Sequence, residues 1–329
     1  MNWSGRPVLV TGAGGFIGSQ LTEELVRRGA SVRAFLHYRV TDERASLNWS
    51  PPEILDEIEF VSGDLRDVET VARAVRGSDR VFHLGALIGI PYSYRSPRDV
   101  VETNVTGTLN VLQACRDAAI GQLVHTSTSE VYGTARTVPI REDHPLQGQS
   151  PYSASKIGAD HLVESFSRSF EVPAVIVRPF NTYGPRQSAR AIIPTVISQA
   201  LAGDTLRLGS LDPTRDFNFV GDTVNGFLNV AASGVTNAEV FNIGTGTEIS
   251  IGEMVDRVGQ ILGKQLHVEH DPQRMRPPAS EVERLIADAS KARERCGWEP
   301  QVTFDEGLQR TVAWISEHLD VYRPSAYGV

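Results

Sequence analysis

Short apolar runs alternate with amphipathic stretches through the first half of the chain. Pro7–Thr11, Ser31–Leu36, Ile58–Ser62, Arg80–Leu84, Gln122–Thr126 and Pro173–Arg178 predict strands buried on both faces. Between them, apolar positions recur at helical spacing near residues 16–28, 67–76, 98–119 and 151–170. Strand–helix alternation predicts an α/β fold, a doubly wound parallel sheet covered on both faces, with ligands at the carboxyl ends of the strands.

Beyond Pro179 the rhythm changes. A helix is expected over 190–202, then the irregular stretch 209–216, then shorter elements with helices near 250–262, 289–296 and 304–318. This predicts a nucleotide-binding domain over 1–180 and a smaller C-terminal α/β substrate-binding lobe over 181–329, from which about 216–248 returns to the first. The run Asp271-Pro-Gln-Arg-Met-Arg-Pro-Pro-Ala-Ser280 is expected to be a mobile loop.

Composition narrows the partners. The chain has 329 residues, 40 % apolar and 22 % charged, which suits a globular protein with a sizeable core. A net charge of −8 without any Lys/Arg run argues against nucleic acid or an anionic membrane. An anionic ligand would have to be met by local Arg and backbone N–H groups. Cys115 and Cys296 lack metal spacing, so no metal is expected, and they fit a reducing compartment. No apolar run has bilayer-spanning length, and a strand is expected almost at the N-terminus, so the expected location is cytoplasmic.

Thr11-Gly12-Ala13-Gly14-Gly15-Phe16-Ile17-Gly18 follows the first strand and opens a helix. Gly12, Gly15 and Gly18 allow a tight turn and close approach of a pyrophosphate, while the helix start, at Phe16 and Ile17, offers N–H groups and a positive dipole end. This predicts a Rossmann-type dinucleotide site. After the second strand, Phe35-Leu36-His37-Tyr38-Arg39 holds no acid for a ribose 2′-hydroxyl. Arg39 or Arg33 is the alternative, for a 2′-phosphate, so NAD and NADP both stay open. Asp64, beside Leu65 past the third strand, is placed to accept the adenine amino group. His83-Leu84-Gly85-Ala86 ends the fourth strand, where small residues let a cofactor lie against backbone, and Asn104 could reach across to the sheet.

Tyr152 and Lys156, four residues apart, share a helix face. An ammonium beside a phenol favours the phenolate, moving a group that titrates near about 10 toward neutral pH. Such a phenol can take a proton from an alcohol while a nicotinamide takes its hydride.

TGAGGFIG, Gly63-Asp64, HLGA, STSEVYG, YSASK, Arg178-Pro-Phe-Asn-Thr-Tyr-Gly-Pro185 and Asn242-Ile243-Gly244 together resemble the extended short-chain dehydrogenase/reductases. These are NAD(P)-dependent nucleotide-sugar epimerases, dehydratases and decarboxylases, and the resemblance spans essentially the whole chain. It implies Tyr152 as catalytic base, Lys156 as its electrostatic partner and ribose ligand, and Thr128 as donor to the sugar 4-hydroxyl. It also implies a tightly bound nicotinamide that oxidises the sugar at C4, and a homodimer built on the helices at 98–119 and 151–170.

Thr128-Ser129-Glu130 resembles the triplet of GDP-mannose 4,6-dehydratases and UDP-glucuronate decarboxylases, whereas dTDP-glucose 4,6-dehydratases carry an Asp where Ser129 stands. The stretches 184–194 and 90–94 are most similar to dehydratases of legionaminic-acid pathways, which act on nucleotide-linked N-acetylglucosamine. The expectation is a 4,6-dehydratase in which Glu130 removes the C5 proton and Ser129 helps. A decarboxylase or 4-epimerase on the same scaffold is the alternative, and a non-catalytic nicotinamide sensor a remote one. Arg190, Arg215 and Arg276 (or Arg274) are candidates for the substrate diphosphate, as guanidinium matches phosphate oxygens. Tyr94 and Asn181 join them as candidate substrate contacts.

Overall fold

The structure, a computed structural model, describes residues 1–38, 44–274 and 277–322. Arg39 and Arg276 lie outside the described residues, as does part of the loop expected at 271–280.

Seven parallel strands form one sheet: β1 (Pro7–Thr11), β2 (Ser31–His37), β3 (Ile58–Gly63), β4 (Arg80–His83), β5 (Gln122–Thr126), β6 (Ala174–Pro179) and β7 (Asn237–Ile243). Their spatial order is β7-β6-β5-β4-β1-β2-β3, so the direction of winding reverses between β1 and β4. In such sheets a reversal of this kind marks, at the carboxyl ends of the strands, the crevice where a ligand usually binds. Thr11 and His83 close the two strands at that point. Thr11 Oγ1 lies 2.7 Å from His83 Nδ1 and accepts a hydrogen bond from Gly85 N at 3.1 Å.

The main helices are α1 (Phe16–Arg27), α2 (Val68–Val75), α3 (Gly107–Asp117), α4 (Pro151–Phe170), α5 (Ile192–Ala202), α6 (Val220–Ala232), α7 (Ile251–Leu262) and α8 (Phe304–Glu317). On one face of the sheet, Leu21 and Leu25 of α1 and Phe227 and Leu228 of α6 bury against Val8, Val10 and Phe241. On the other, Val111 and Leu112 of α3 and Val163 and Phe166 of α4 bury against Leu9, Leu123 and Ile176. With both faces covered, the strands read as unbroken apolar runs.

Helix α4 starts where its sequence says it should. Ser150 accepts a hydrogen bond from Ser153 N at 3.1 Å, Ser150 N donates to Ser153 Oγ at 3.0 Å, and Pro151 occupies the first turn. The helix expected over 98–119 is interrupted. Pro97–Val101 and α3 are joined by a π-helical turn over Glu102–Thr106, which swings Asn104 inward.

A second core gathers Ile193, Val196 and Ile197 of α5, Met254, Val255 and Val258 of α7 and Leu308, Val312 and Ile315 of α8. Strand β7 and helix α6, drawn from residues 220–243, belong to the main sheet and its cover. Phe16 and Ile17, at the start of α1, pack on this second core.

Arg186 fastens these parts from outside. At φ 69° it turns its guanidinium to Glu23 of α1 (2.9 Å), to Trp49 O (3.1 Å) and over the Trp314 ring of α8. Trp49 and His318 also pack edge to face, with ring centres 4.6 Å apart.

Candidate active site

The glycine loop lies between β1 and α1. Gly12 has φ +69°, and a Cβ on it would come within 2.7 Å of Gly85 N across the crevice. A Cβ on Gly18 would lie 2.1 Å from Gly12 O, so the helix start and the turn touch. Gly15 caps α1 without a side-chain hydrogen bond, and no acidic residue stands in the first turn. Phe16 and Ile17 turn their side chains into the protein, leaving main-chain N–H groups as what the helix start presents. Ser46 N donates to Gly14 O, bringing the segment after β2 over the loop.

The other expected dinucleotide contacts have varied surroundings. Leu65 is buried and would meet a Cβ on Gly85 at 2.8 Å, while Leu84 packs on the core and Ala86 follows at the crevice. Arg66 already grips the Asp64 carboxylate through Nε and Nη2 and through its main-chain N–H. Asn104 differs from expectation. Its amide accepts from Leu87 N (2.7 Å) and donates to Leu87 O and Ser155 Oγ (both 2.9 Å). Each of its polar atoms is bonded inside the protein, and it braces α4 against the segment that follows β4. Arg33 is likewise engaged, donating to Ala74 O and Arg76 O and pairing with Glu59, so a 2′-phosphate would have to compete with these partners.

At the end of β5 the chain turns through Thr128 into a 3-10 turn, Ser129–Tyr132. Thr128 Oγ1 accepts from Glu130 N at 3.2 Å. Gly133 ends the turn at φ +63°, where a Cβ would strike Gln149 Oε1. This brings Thr128 and Glu130 to Tyr152: the Thr128 hydroxyl is close enough to lower the phenol, and the Glu130 carboxylate close enough for its charge to raise it. Ser129 is buried beside them.

Electrostatics depart from the simple spacing argument. Burial pushes the Tyr152 phenol up, the neighbouring Thr128 hydroxyl opposes this, and the Glu130 carboxylate adds to it. Burial also lowers the Lys156 ammonium to about 8, with Asp160 pulling it back up. Desolvation of both groups therefore outweighs the attraction expected of a Tyr–Lys pair.

Beneath the pair lies a polar network that sequence spacing did not suggest. Asp160, one turn past Lys156, is fully buried. Its Oδ2 accepts from Ser127 Oγ at 2.7 Å and from Arg178 Nη2 at 3.0 Å, while Oδ1 sits 3.4 Å from His125 Nε2 without hydrogen-bond geometry. Burial would raise this carboxyl, yet His125, Arg178 and Ser127 hold it at about 2. Arg178 Nη1 donates to Tyr132 Oη, which donates to Asn242 Oδ1 on β7. Burial lowers His125 to about 4 and His83 well below its usual range.

The expected substrate contacts are scattered in kind. Asn181 Oδ1 is a buried acceptor with no hydrogen-bond partner among the described residues. Arg190 is exposed at the start of the segment before α5. Tyr94 Oη is hydrogen-bonded to Ser280 Oγ, which anchors part of the loop expected to be mobile. Arg215 is buried; it donates to Thr214 O at 2.9 Å and pairs with Glu281 at 3.5 Å. It is held inside the lobe, so a diphosphate would have to compete with Glu281. The bare N–H groups of α1, the glycine turn and the buried ammonium of Lys156 together fit a nicotinamide dinucleotide.

Sheet, glycine turn and Tyr–Lys helix define a nucleotide-binding α/β protein of the short-chain dehydrogenase/reductase type. The comparisons are more specific. Residues 9–311 match the family model for GDP-mannose 4,6 dehydratase, and the chain belongs to that family of nucleotide-sugar dehydratases and epimerases. It is 34 % identical over 313 residues to a UDP-glucose 4-epimerase from Mycolicibacterium smegmatis, covering 93 % of this chain and 97 % of the relative. It is also 34 % identical over 333 residues to a dTDP-glucose 4,6-dehydratase from Xanthomonas campestris, covering 93 % and 92 %. A solved dTDP-glucose 4,6-dehydratase from Streptomyces venezuelae, with NAD bound, superposes with a TM-score of 0.87 at 32 % identity, covering 97 % of this chain and 99 % of that one. Decarboxylases are among the relatives too. Such company supports an enzyme with a nicotinamide cofactor and leaves the particular reaction open. No helix among the described residues is long and apolar enough to cross a membrane.

Proposed function

We propose that the protein is a nucleotide-sugar 4,6-dehydratase, acting on a UDP- or GDP-linked hexose such as N-acetylglucosamine and yielding a 4-keto-6-deoxy product. The observation that carries this reading is the carboxylate of Glu130 beside the Tyr152 phenol. A 4-epimerase needs no second acid–base group at that point; an elimination does. Tyr152 takes the proton of the sugar 4-hydroxyl, aided by the neighbouring Thr128 hydroxyl, which opposes the rise that burial imposes on the phenol. The glycine turn, the start of α1 and Lys156 would hold a nicotinamide, which would supply a reversible acceptor for the sugar hydride. Glu130 takes the C5 proton made acidic by the 4-keto group and passes it through the Thr128–Ser129–Glu130 turn to the C6 hydroxyl, which leaves as water. Once the hydride has gone to C6, the proton that Tyr152 took from the 4-hydroxyl goes to C5 by way of Glu130, giving the 4-keto-6-deoxy product. The unpartnered acceptor of Asn181 and the exposed guanidinium of Arg190 are our choice for substrate contacts.

The deciding experiment is a panel of UDP-, GDP- and dTDP-sugars followed by NMR. A 4-keto-6-deoxy sugar is the expected product. Carbon dioxide release, or C4 inversion with C6 intact, overturns the reading in favour of a decarboxylase or epimerase. We include in this reading a homodimer formed through α4 and the helices before it, which sedimentation tests.

A further inference from the structure

We propose that Asp160 is a positioning residue of the catalytic centre: its carboxylate ties the Thr128 strand end to the Tyr152 helix and is the fixed counter-charge that keeps Lys156 an ammonium. Tyr152, Lys156 and Asp160 follow one another at four-residue intervals along one stripe of α4. The Asp160 side chain is wholly removed from water and bonded to Ser127, the residue before Thr128. Arg178, from β6, donates to the same oxygen. A shift of Asp160 therefore moves α4 against the end of β5, where Thr128 and Tyr152 meet.

The charges facing Lys156 make the electrostatic role specific. On its own helix stand Tyr152 and Asp160, on β4 His83, on β5 His125, and Arg178 on β6 is bonded to Asp160. His83 and His125 are both driven toward the neutral form by burial and by Lys156 itself. Tyr152 is pushed toward its neutral form as well. Asp160 is the group that raises Lys156 against the cost of its burial. Arg178 donates to the carboxylate and serves to keep it ionised, while the causes acting on Lys156 are burial and Asp160.

The inference rests on the reading of Tyr152 and Lys156 as the reactive pair, and its test needs no turnover. The sequence contains only three lysines, Lys156, Lys264 and Lys291, so ¹³C-lysine labelling of the full chain gives three resolvable side-chain signals, assigned with Lys264→Arg and Lys291→Arg. Lys156 should titrate near about 8, and in Asp160→Asn its midpoint should fall by about one unit. Lys264 and Lys291 should not move. Because Asp160→Asn leaves Arg178 buried without a partner, the double variant Asp160→Asn/Arg178→Met provides the same readout without a stranded charge. A Lys156 midpoint that is unchanged or higher in the folded single or double variant overturns the proposal. Failure of the wild-type protein to reduce bound nicotinamide with any sugar nucleotide refutes the reactive-pair reading instead, and leaves the lysine titration to be judged separately.

Discussion

The hydroxyl of Thr128 stands close enough to the Tyr152 phenol to oppose the rise that burial imposes on it, although one lies two residues past β5 and the other in the first turn of a helix 24 residues on (152 − 128). The hydroxyl therefore prepares the base as well as standing ready for substrate. Tyr152→Phe should lower the rate of nicotinamide reduction by about 10²–10⁴-fold, and Thr128→Val by somewhat less, with the fold intact. Stopped-flow absorbance of the reduced cofactor, alongside circular dichroism, checks both.

Glu130→Gln separates the two halves of the proposed reaction. The C4 oxidation should survive, with bound nicotinamide becoming reduced, while dehydration falls by about 10²-fold or more. NMR of the sugar in deuterated water reads the loss as missing exchange at C5. Full dehydration by the variant would remove Glu130 from the mechanism.

Lys156 sets a pH dependence with a definite sign. Its folded value, about 8, lies below the usual 10.5, so between these the unfolded chain binds the extra proton and stability rises with pH. Below about 8 the buried ammonium is a cost in full. Lys156→Met should therefore be stabilised relative to the parent most at pH 7, with the difference shrinking as pH passes through 8. Its cofactor retention should be poorer at every pH. Thermal melts across pH 6.5–9.5 (our chosen range, about three units) test the first claim, and dinucleotide released on denaturation the second.

Gly18→Ala places a methyl 2.1 Å from Gly12 O, against backbone that has no room to retreat. The expected cost is about 2 kcal/mol or more, with loss of bound dinucleotide, because the turn and the helix start must part. Gly203→Ala is the control, since a Cβ there meets nothing within 4 Å. Thermal melting and cofactor content compare the two.

Arg186→Ala should cost about 2 kcal/mol, because it leaves the buried carboxylate of Glu23 without its strongest cation. The loss should be greatest above the carboxylate range, where Glu23 is ionised, and should fade as pH drops through it. Chemical denaturation at pH 7 and pH 4 (about the carboxylate range) distinguishes the two cases.

Strands β1 and β5 carry the limits their apolar runs predict, because a strand covered on both faces leaves an unbroken signature. Strand β7 gives a weaker one: Asn237-Ala-Glu-Val-Phe-Asn-Ile lies at the sheet edge, and two of its seven side chains are amides. The Tyr152–Lys156 pair was visible because it is local, four residues on a helix. Asp160, with partners His125, Ser127 and Arg178 on two different strands, was invisible because only the fold brings them together. Asn104 illustrates a third case. Its residue type suited a ligand contact, but a π-turn that no periodicity announces turned it into a brace.

Helix α1 presents its bare start to the crevice while its outer side is fastened through Glu23 to Arg186, and through it to Trp49 and Trp314. A dinucleotide seated on that helix would sit in a socket whose walls are latched to one another, and letting it go means opening the latch. For a reaction that oxidises and then reduces the same sugar, such confinement carries no penalty. In the proposed reaction the carrier would end each cycle recharged, and the molecule would run as a sealed circuit that draws on no pool of reductant.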